Sequence, residues 1–155
     1  MSKSIKRVEE AGRTLGLDIE IIRMGEGTRT AEDAANGCNC SVSQIVKSLI
    51  FEGEESGGLK LILVSGSNQV NLEKVANILG EGLKRSDPKR IRTETGFAIG
   101  GVSAIGHLSP IDTYMDQDLL KFDTVWVAAG APDAVFNVQP QALKDAVGGV
   151  VIEVV

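Results

Sequence analysis

A lysine set inside an apolar run, and a glycine-rich stretch that holds the chain's single histidine, are the residues best equipped to do chemistry. The stretch is TGFAIGGVSAIGH, residues 95–107, with glycines at Gly96, Gly100, Gly101 and Gly106 and the histidine at His107. Glycine lets a main chain take positive φ or come close to a ligand. It also leaves N–H groups free to receive an anion or the oxyanion that develops on a carbonyl. The segment is therefore a candidate pocket wall, a short buried strand running into a tight turn, although spacing alone favours a glycine bulge that only bends a sheet. Lys47 stands in QIVKSLIFEG, residues 44–53, among Ile45, Val46, Leu49, Ile50 and Phe51. Strict alternation puts it on the face of Ile45 and Leu49, so it either snorkels to solvent or projects into a polar cavity; periodicity alone favours the exposed edge. GAPDAVF, at 130–136, follows an apolar strand and reads as a Gly/Pro turn.

Other reactive groups are sparse. Cys38 and Cys40 lie one residue apart, poor geometry for a mutual disulfide and, with one histidine, too few ligands for a metal. Their C-x-C spacing matches no nucleophile signature, so they read as reduced packing thiols. A net charge of −5 argues against gripping nucleic acid by bulk electrostatics. Lys84, Arg85, Lys89, Arg90 and Arg92 nevertheless crowd into nine residues, either as a solvated helix face or as a local footprint for phosphates. With 155 residues the chain suits a single domain, 1–155. Its apolar runs are too short to span a bilayer, and charges occupy the N-terminus where a signal peptide needs its apolar core, so the expected location is cytoplasmic with no membrane partner.

The elements that must position these groups follow from periodicity and caps. Ile5, Val8, Ala11 and Leu15 mark an amphipathic helix stopped by Gly16, and residues 18–24 have the β-branched content of a strand before a 25–29 loop. Thr30 with Asp33 caps a short helix closed by Gly37. Residues 45–64 read as a β-hairpin around a polar turn at 52–58. Asn71 caps a helix over 72–79 closed by Gly80, and Asp87-Pro88 opens a basic helix over 88–94. Strands are predicted at 111–115, in DTVWVAAG, in the segment after Pro132 and in the final VVIEVV, with a helix after Pro140. This order does not alternate as βαβ units would, so the sheet is expected to be mixed.

Lys47, the turn at 100–107 and GAPDAVF, in that order, with TAEDAA upstream of IVKSLIF and a helix at 72–79, resemble the YbaK/EbsC family of free-standing aminoacyl-tRNA deacylases. The same domain occurs as the editing insertion of bacterial prolyl-tRNA synthetases. The likeness covers nearly the whole chain from about Ala31 onward. It implies an α/β fold: a single domain with a mixed, largely antiparallel, curved sheet flanked by short helices. It also implies trans-editing without metal or other cofactor, in which the ester joining a small wrong amino acid to a prolyl-type or related tRNA is hydrolysed. By the resemblance, Lys47 holds the terminal adenosine or the backbone beside it, and Gly100 and Gly101 form the pocket turn. Ser103 and Ala104 shape the amino-acid pocket, and Gly130, Ala131 and Pro132 make the opposite wall. His107 would be a base or hydrogen-bond partner, and Asp112 and Asp133 are polar groups beside the walls. The basic cluster at 84–92 would touch tRNA. The implied partners are a mischarged tRNA and an aminoacyl-tRNA synthetase, with the protein a monomer or weak homodimer. In one respect the chain departs from the family pattern Gly-x-x-x-Pro: Ala104 stands where proline is expected, which bears on amino-acid specificity. Two other classes stay open, a non-catalytic module that holds an aminoacyl-tRNA or a synthetase and a small-molecule esterase using the same pocket.

Overall fold

The computed structural model describes residues 2–25 and 27–155; Met1 of the charged N-terminal segment and Glu26 of the expected 25–29 loop lie outside the described residues. Among the described residues five α-helices are formed, α1 (Lys3–Thr14), α2 (Ala31–Cys38), α3 (Leu72–Leu79), α4 (Pro88–Thr95) and α5 (Pro140–Val147). The strands are β1 (Ile22–Arg23), β2 (Ile45–Gly53), β3 (Leu59–Ser65), β4 (Leu83–Arg85), β5 (Asp112–Asp116), β6 (Val125–Ala128), β7 (Ala134–Val138) and β8 (Val150–Ile152).

Local chemistry sets most helix ends. Thr30 and Asp33 form a reciprocal capping box on α2, Asn71 accepts from Lys74 N–H to start α3, and Asp87 caps α4 with Pro88 at its first turn. α2 runs past its expected stop and ends on Asn39 in the left-handed region at φ 55°. Gly37 serves packing instead, since a Cβ there would run into the Met24 methyl. The strand expected over 18–24 shrinks to Ile22–Arg23, while β4 arises where the sequence showed no strand pattern.

All strands join one sheet in the order β1-β7-β6-β2-β3-β5-β8, with β4 also paired to β2. The pairings β1–β7, β2–β3, β2–β4 and β6–β7 are antiparallel, and β2–β6, β3–β5 and β5–β8 are parallel, the mixed arrangement expected. β3 lies inside the sheet and is buried throughout, as a continuous apolar run implies. Leu61 and Leu63 pack into a core with Val8, Phe97, Met115 and Phe136, whereas Ile62 and Val64 face Val75, Ile152 and Val154 on the other side. Each such fully buried side chain contributes about 1.5–3 kcal/mol.

The sheet has one irregularity, on β2. β2 pairs with β3 along its length from Val46 to Glu52, but its other edge is shared between β6, at Ile45 and Val46, and β4, at Phe51 to Gly53. Residues 47–50 lie in the gap between those two partners.

The strand expected within 95–107 does not form. Gly96, Gly100 and Gly106 have φ of 83°, 92° and 83°, which breaks extended structure at three points. Arg7 of α1 replaces ladder bonds: its Nη2 donates to Gly96 O at 2.9 Å and its Nε to Gly106 O at 2.6 Å, with the guanidinium 4.6 Å from the Phe97 ring centroid.

Candidate active site in the split sheet edge

Two cavities of about 470 and 420 Å³ open against the gap in β2, and both are lined by Lys47, Ser48, Leu49, Ile99, Gly100 and Val102. The larger continues past Phe51, Val70, Arg85, Ser86 and Ile91, and the other past Arg29, Ala34, Trp126 and Pro132. Lys47 therefore stands on the wall common to two pockets on an interior strand, not at the exposed edge favoured by periodicity.

Its ammonium is fixed by a chain of hydrogen bonds. Lys47 Nζ donates to Asn68 O at 2.5 Å. The Asn68 amide nitrogen donates to both Asp116 Oδ2 and Asp118 Oδ2, each at 2.8 Å, which determines which way that amide points. Asp116 has no exposed surface, and its carboxylate also accepts from Ser65 N at 3.0 Å and Asp118 N at 2.9 Å. A buried carboxylate is tolerated only when its oxygens are satisfied, and here the donors are the last N–H of β3, the Asn68 side chain and Asp118 N–H. Asn68 and Asp116, which sequence reasoning missed, thus position Lys47. Asp116 carries no local signal, because it reads as the polar end of a strand.

The glycine turn and the 130–132 loop come together. A Cβ on Gly101 would lie 3.1 Å from Ala131 Cα and from Gly130 O, and one on Gly100 would touch Pro132 Cγ at 3.8 Å. Gly100, Pro132 and Lys47 share the smaller cavity. Ser103 and Ala104 are placed behind the wall: they are 0% and 3% exposed and line neither cavity. Ser103 Oγ is turned inward to accept from Ile105 N at 3.4 Å, so Ile99 and Val102 present the apolar surface instead.

His107 also sits away from both cavities. Its ring meets Phe97 edge-on at 5.2 Å, and Nε2 donates to Ser103 O at 2.7 Å, while the buried Nδ1 has no partner among the described residues. Burial pushes its pKa below the ordinary value; the bond to Ser103 O opposes this and the Arg7 charge adds to it. The unfolded chain therefore takes up the proton first. The neutral ring contributes stability that is fully present above the unfolded-chain value of about 6.5 and is lost as pH falls from there through the lowered folded value. Thermal unfolding should show the parent losing more Tm than His107→Gln between about pH 7.5 and 5.5, and equal losses would contradict the buried, neutral ring.

The basic cluster is divided. Lys84 and Arg90 bind Glu52 at 3.2 and 2.6 Å, and Arg90 also bonds Glu94. Arg90 first and then Lys84 hold the Glu52 carboxyl below its usual range. Arg85 lines the larger cavity, while Lys89 and Arg92 are exposed with no ion pair among the described residues. Asp112 bonds Lys60 at 2.8 Å, and Asp133 bonds Arg23 at 2.8 Å. Cys38 and Cys40 are free thiols outside both cavities, and burial, with Cys40 beside it, pushes the Cys38 thiol up to about 11. Among the described residues no cluster of three or more His, Cys, Asp or Glu is placed to hold a metal ion, and no helix is long and apolar enough to cross a membrane. Arg29 and Trp126, which bring a cation and an aromatic ring to the smaller cavity, had no distinguishing pattern in the sequence.

Lys47 thus stands at the junction of two cavities and faces a glycine turn, and comparison with known proteins gives the chain a family. The chain matches the aminoacyl-tRNA editing domain over residues 25–146 and belongs to that family. It is 28% identical over 142 residues to the uncharacterized protein YwhH of Bacillus subtilis (strain 168), covering 92% of this chain and 90% of YwhH. It is 35% identical over 103 residues to the proline--tRNA ligase of Thermosipho melanesiensis, covering 66% of this chain but only 18% of the ligase. A solved structure put forward as a trans-editing enzyme for prolyl tRNA synthetase superposes with a TM-score of 0.93 at 41% identity, covering 99% of this chain and 97% of the other. The hypothetical protein APE2540 superposes with a TM-score of 0.87 at 28% identity, covering 96% and 98%.

Proposed function

We propose that this protein is a trans-editing aminoacyl-tRNA deacylase, one editing domain over 1–155 acting in the cytoplasm as a monomer or weak homodimer. Its substrate is a prolyl-type or related tRNA bearing a small wrong amino acid. The observation that carries this reading is Lys47, fixed by Asn68 O on the wall shared by two cavities in a member of the editing family. An aminoacyl ester has two parts, an amino acid and a terminal ribose, and two adjoining pockets with a cation between them suit it. Hydrolysis adds a water oxygen to the ester carbonyl carbon and breaks the bond to the ribose oxygen, which takes up a proton. Positioning and electrostatics supply the acceleration: Lys47 holds the 3′ end, and main-chain N–H groups stabilise the developing oxyanion. Gly100 and Gly101 shape one wall, and Gly130, Ala131 and Pro132 support it. Ser103, Ala104 and His107 act from behind by holding the turn, so Ala104 would influence specificity through the position of Val102.

The test is release of free amino acid from a panel of mischarged tRNAs at catalytic protein concentration, with a chelator present in one arm. Turnover of at least one mischarged prolyl-type tRNA in both arms is expected. Binding without release would instead indicate a non-catalytic module, and turnover of free aminoacyl esters in preference to tRNA would indicate an esterase.

For tRNA contact, Arg85, Lys89 and Arg92 are the cations available, since Glu52 already engages Lys84 and Arg90. Each phosphate that a cation neutralises adds about 0.7–0.9 to the slope of log affinity against log salt. Replacing those three residues with alanine should therefore flatten that slope by about two units. Lys84→Ala should change it less.

A further inference from the structure

The main chain of β2 alternates between its two edges. Gly53 N–H donates to Gly58 O at 2.9 Å and Gly66 N–H to Ile45 O at 2.7 Å, in register with Lys47↔Val64 and Leu49↔Ile62. The odd-numbered residues of β2 therefore turn their N–H and C=O groups to β3, and the even-numbered residues turn theirs to the opposite edge. At the ends of that edge the groups are taken up, by Val46↔Val127 of β6 and by Glu52↔Lys84 of β4, with Glu54 N–H donating to Gly82 O at 2.9 Å just beyond. Ser48 falls between. Among the described residues no strand pairs with it on this side.

Main-chain donors and acceptors in an interior strand are ordinarily all paired, so a free stretch is a place made for a partner. This stretch opens onto the cavities: Ser48 lines both, and Ile50 lines the larger. The Ser48 hydroxyl is buried as well, with no hydrogen-bond partner among the described residues.

The geometry points to a one-residue strand pairing between the main chain of Ser48 and the aminoacyl group of the substrate. Ser48 N–H donates to the ester carbonyl oxygen, and the substrate's α-ammonium donates to the Ser48 carbonyl. Two residues opposed in an antiparallel ladder exchange the same two bonds, and an α-aminoacyl ester is the smallest ligand that carries both halves. The ester must lie where the amino-acid pocket meets the ribose pocket, which is where Ser48 and its neighbour Lys47 stand. The Ser48 N–H is then aimed at the oxygen that becomes negative during hydrolysis. Because the pairing is made through main chain, it selects α-aminoacyl esters as a class and leaves choice among side chains to the cavity walls. The inference rests on the deacylase reading and adds to it the group that grips the reacting carbonyl.

Two measurements test it. In the 15N-labelled chain, the Ser48 amide signal should move downfield on titration with a 3′-aminoacylamino-3′-deoxyadenosine, an amide-linked analogue that is not hydrolysed. The analogue lacking the α-amino group should bind about tenfold or more weakly, since it makes one bond of the two. Ser48→Pro deletes the N–H without removing a bond to β3, and Lys47 before it is already extended as proline requires. Relative to Ser48→Ala, it should lose about 10²-fold in kcat on mischarged tRNA. An unmoved Ser48 amide while other signals saturate, or equal kcat in folded proline and alanine variants, overturns the pairing and leaves the deacylase reading standing. If Ser48→Pro does not fold, the titration of the parent decides alone. A parent that releases no amino acid from any tRNA of the panel overturns the deacylase reading, while a moved Ser48 amide would still support the pairing as a mode of binding.

Discussion

Lys47→Ala should reduce kcat/KM for the preferred mischarged tRNA by about 10²–10³-fold, the range seen when one preorganised electrostatic contact is removed from a reacting site. Folding should hardly register the change. Lys47 is only partly buried, and its one protein bond, to Asn68 O, is worth about 1 kcal/mol, or a Tm shift of about 2–4 °C. Lys47→Arg should not restore activity, because a planar guanidinium cannot reproduce a point charge seated on a single carbonyl. The measurement is steady-state deacylation beside a thermal scan of each variant. Undiminished turnover in folded Lys47→Ala would remove Lys47 from the site, whatever its position on the shared wall.

Gly130→Ala should be among the most destabilising single substitutions near the site. Gly130 has φ +98°, and a Cβ there would lie 2.9 Å from the carbonyl carbon and oxygen of Ser4 at the start of α1. Neither difficulty relaxes easily: the backbone strain costs about 1–3 kcal/mol and the clash with main chain a further 1–3 kcal/mol or so. For a chain of this size the sum corresponds to a Tm drop of about 10 °C. Gly57→Ala separates the two contributions. Gly57 also has positive φ, at +72°, but nothing lies within 4 Å of the added methyl, so about 3 °C is expected from strain alone. Equal losses at the two positions would mean that α1 does not press on the 130–132 loop. Because Gly101 packs on Ala131, Gly130→Ala should also displace the turn and lower turnover in the fraction that remains folded.

Some of the site can be read directly from residue types. An apolar strand with a lysine in it, a glycine turn, and a Gly/Pro loop after another strand are local patterns, and the structure gathers all three around one cleft. Other roles were not legible. Ser103 and Ala104 lie inside because the turn presents Val102 outward, and His107 faces Phe97 because Arg7, from a helix about a hundred residues earlier, ties down both ends of the loop. A histidine in a glycine turn looks the same in sequence whether it faces a substrate or a phenylalanine. Arg90 likewise reads as a free cation until Glu52 is folded against it.

The sequence by itself determined what is made of near neighbours. It set the caps at Thr30, Asn71 and Asp87, the hairpin of β2 and β3, and the mixed character of a sheet whose strands do not alternate with helices. Tertiary structure alone decided that the far edge of β2 is divided between β6 and β4, leaving Ser48 without a strand on that edge among the described residues, and that Asp116 reaches across to hold Asn68 under Lys47. The physical reason is that caps and turns are satisfied by groups a few residues away, so their signals are local. A strand edge takes whichever partner the rest of the chain brings to it, and where two short partners fail to meet, the gap they leave opens the candidate site.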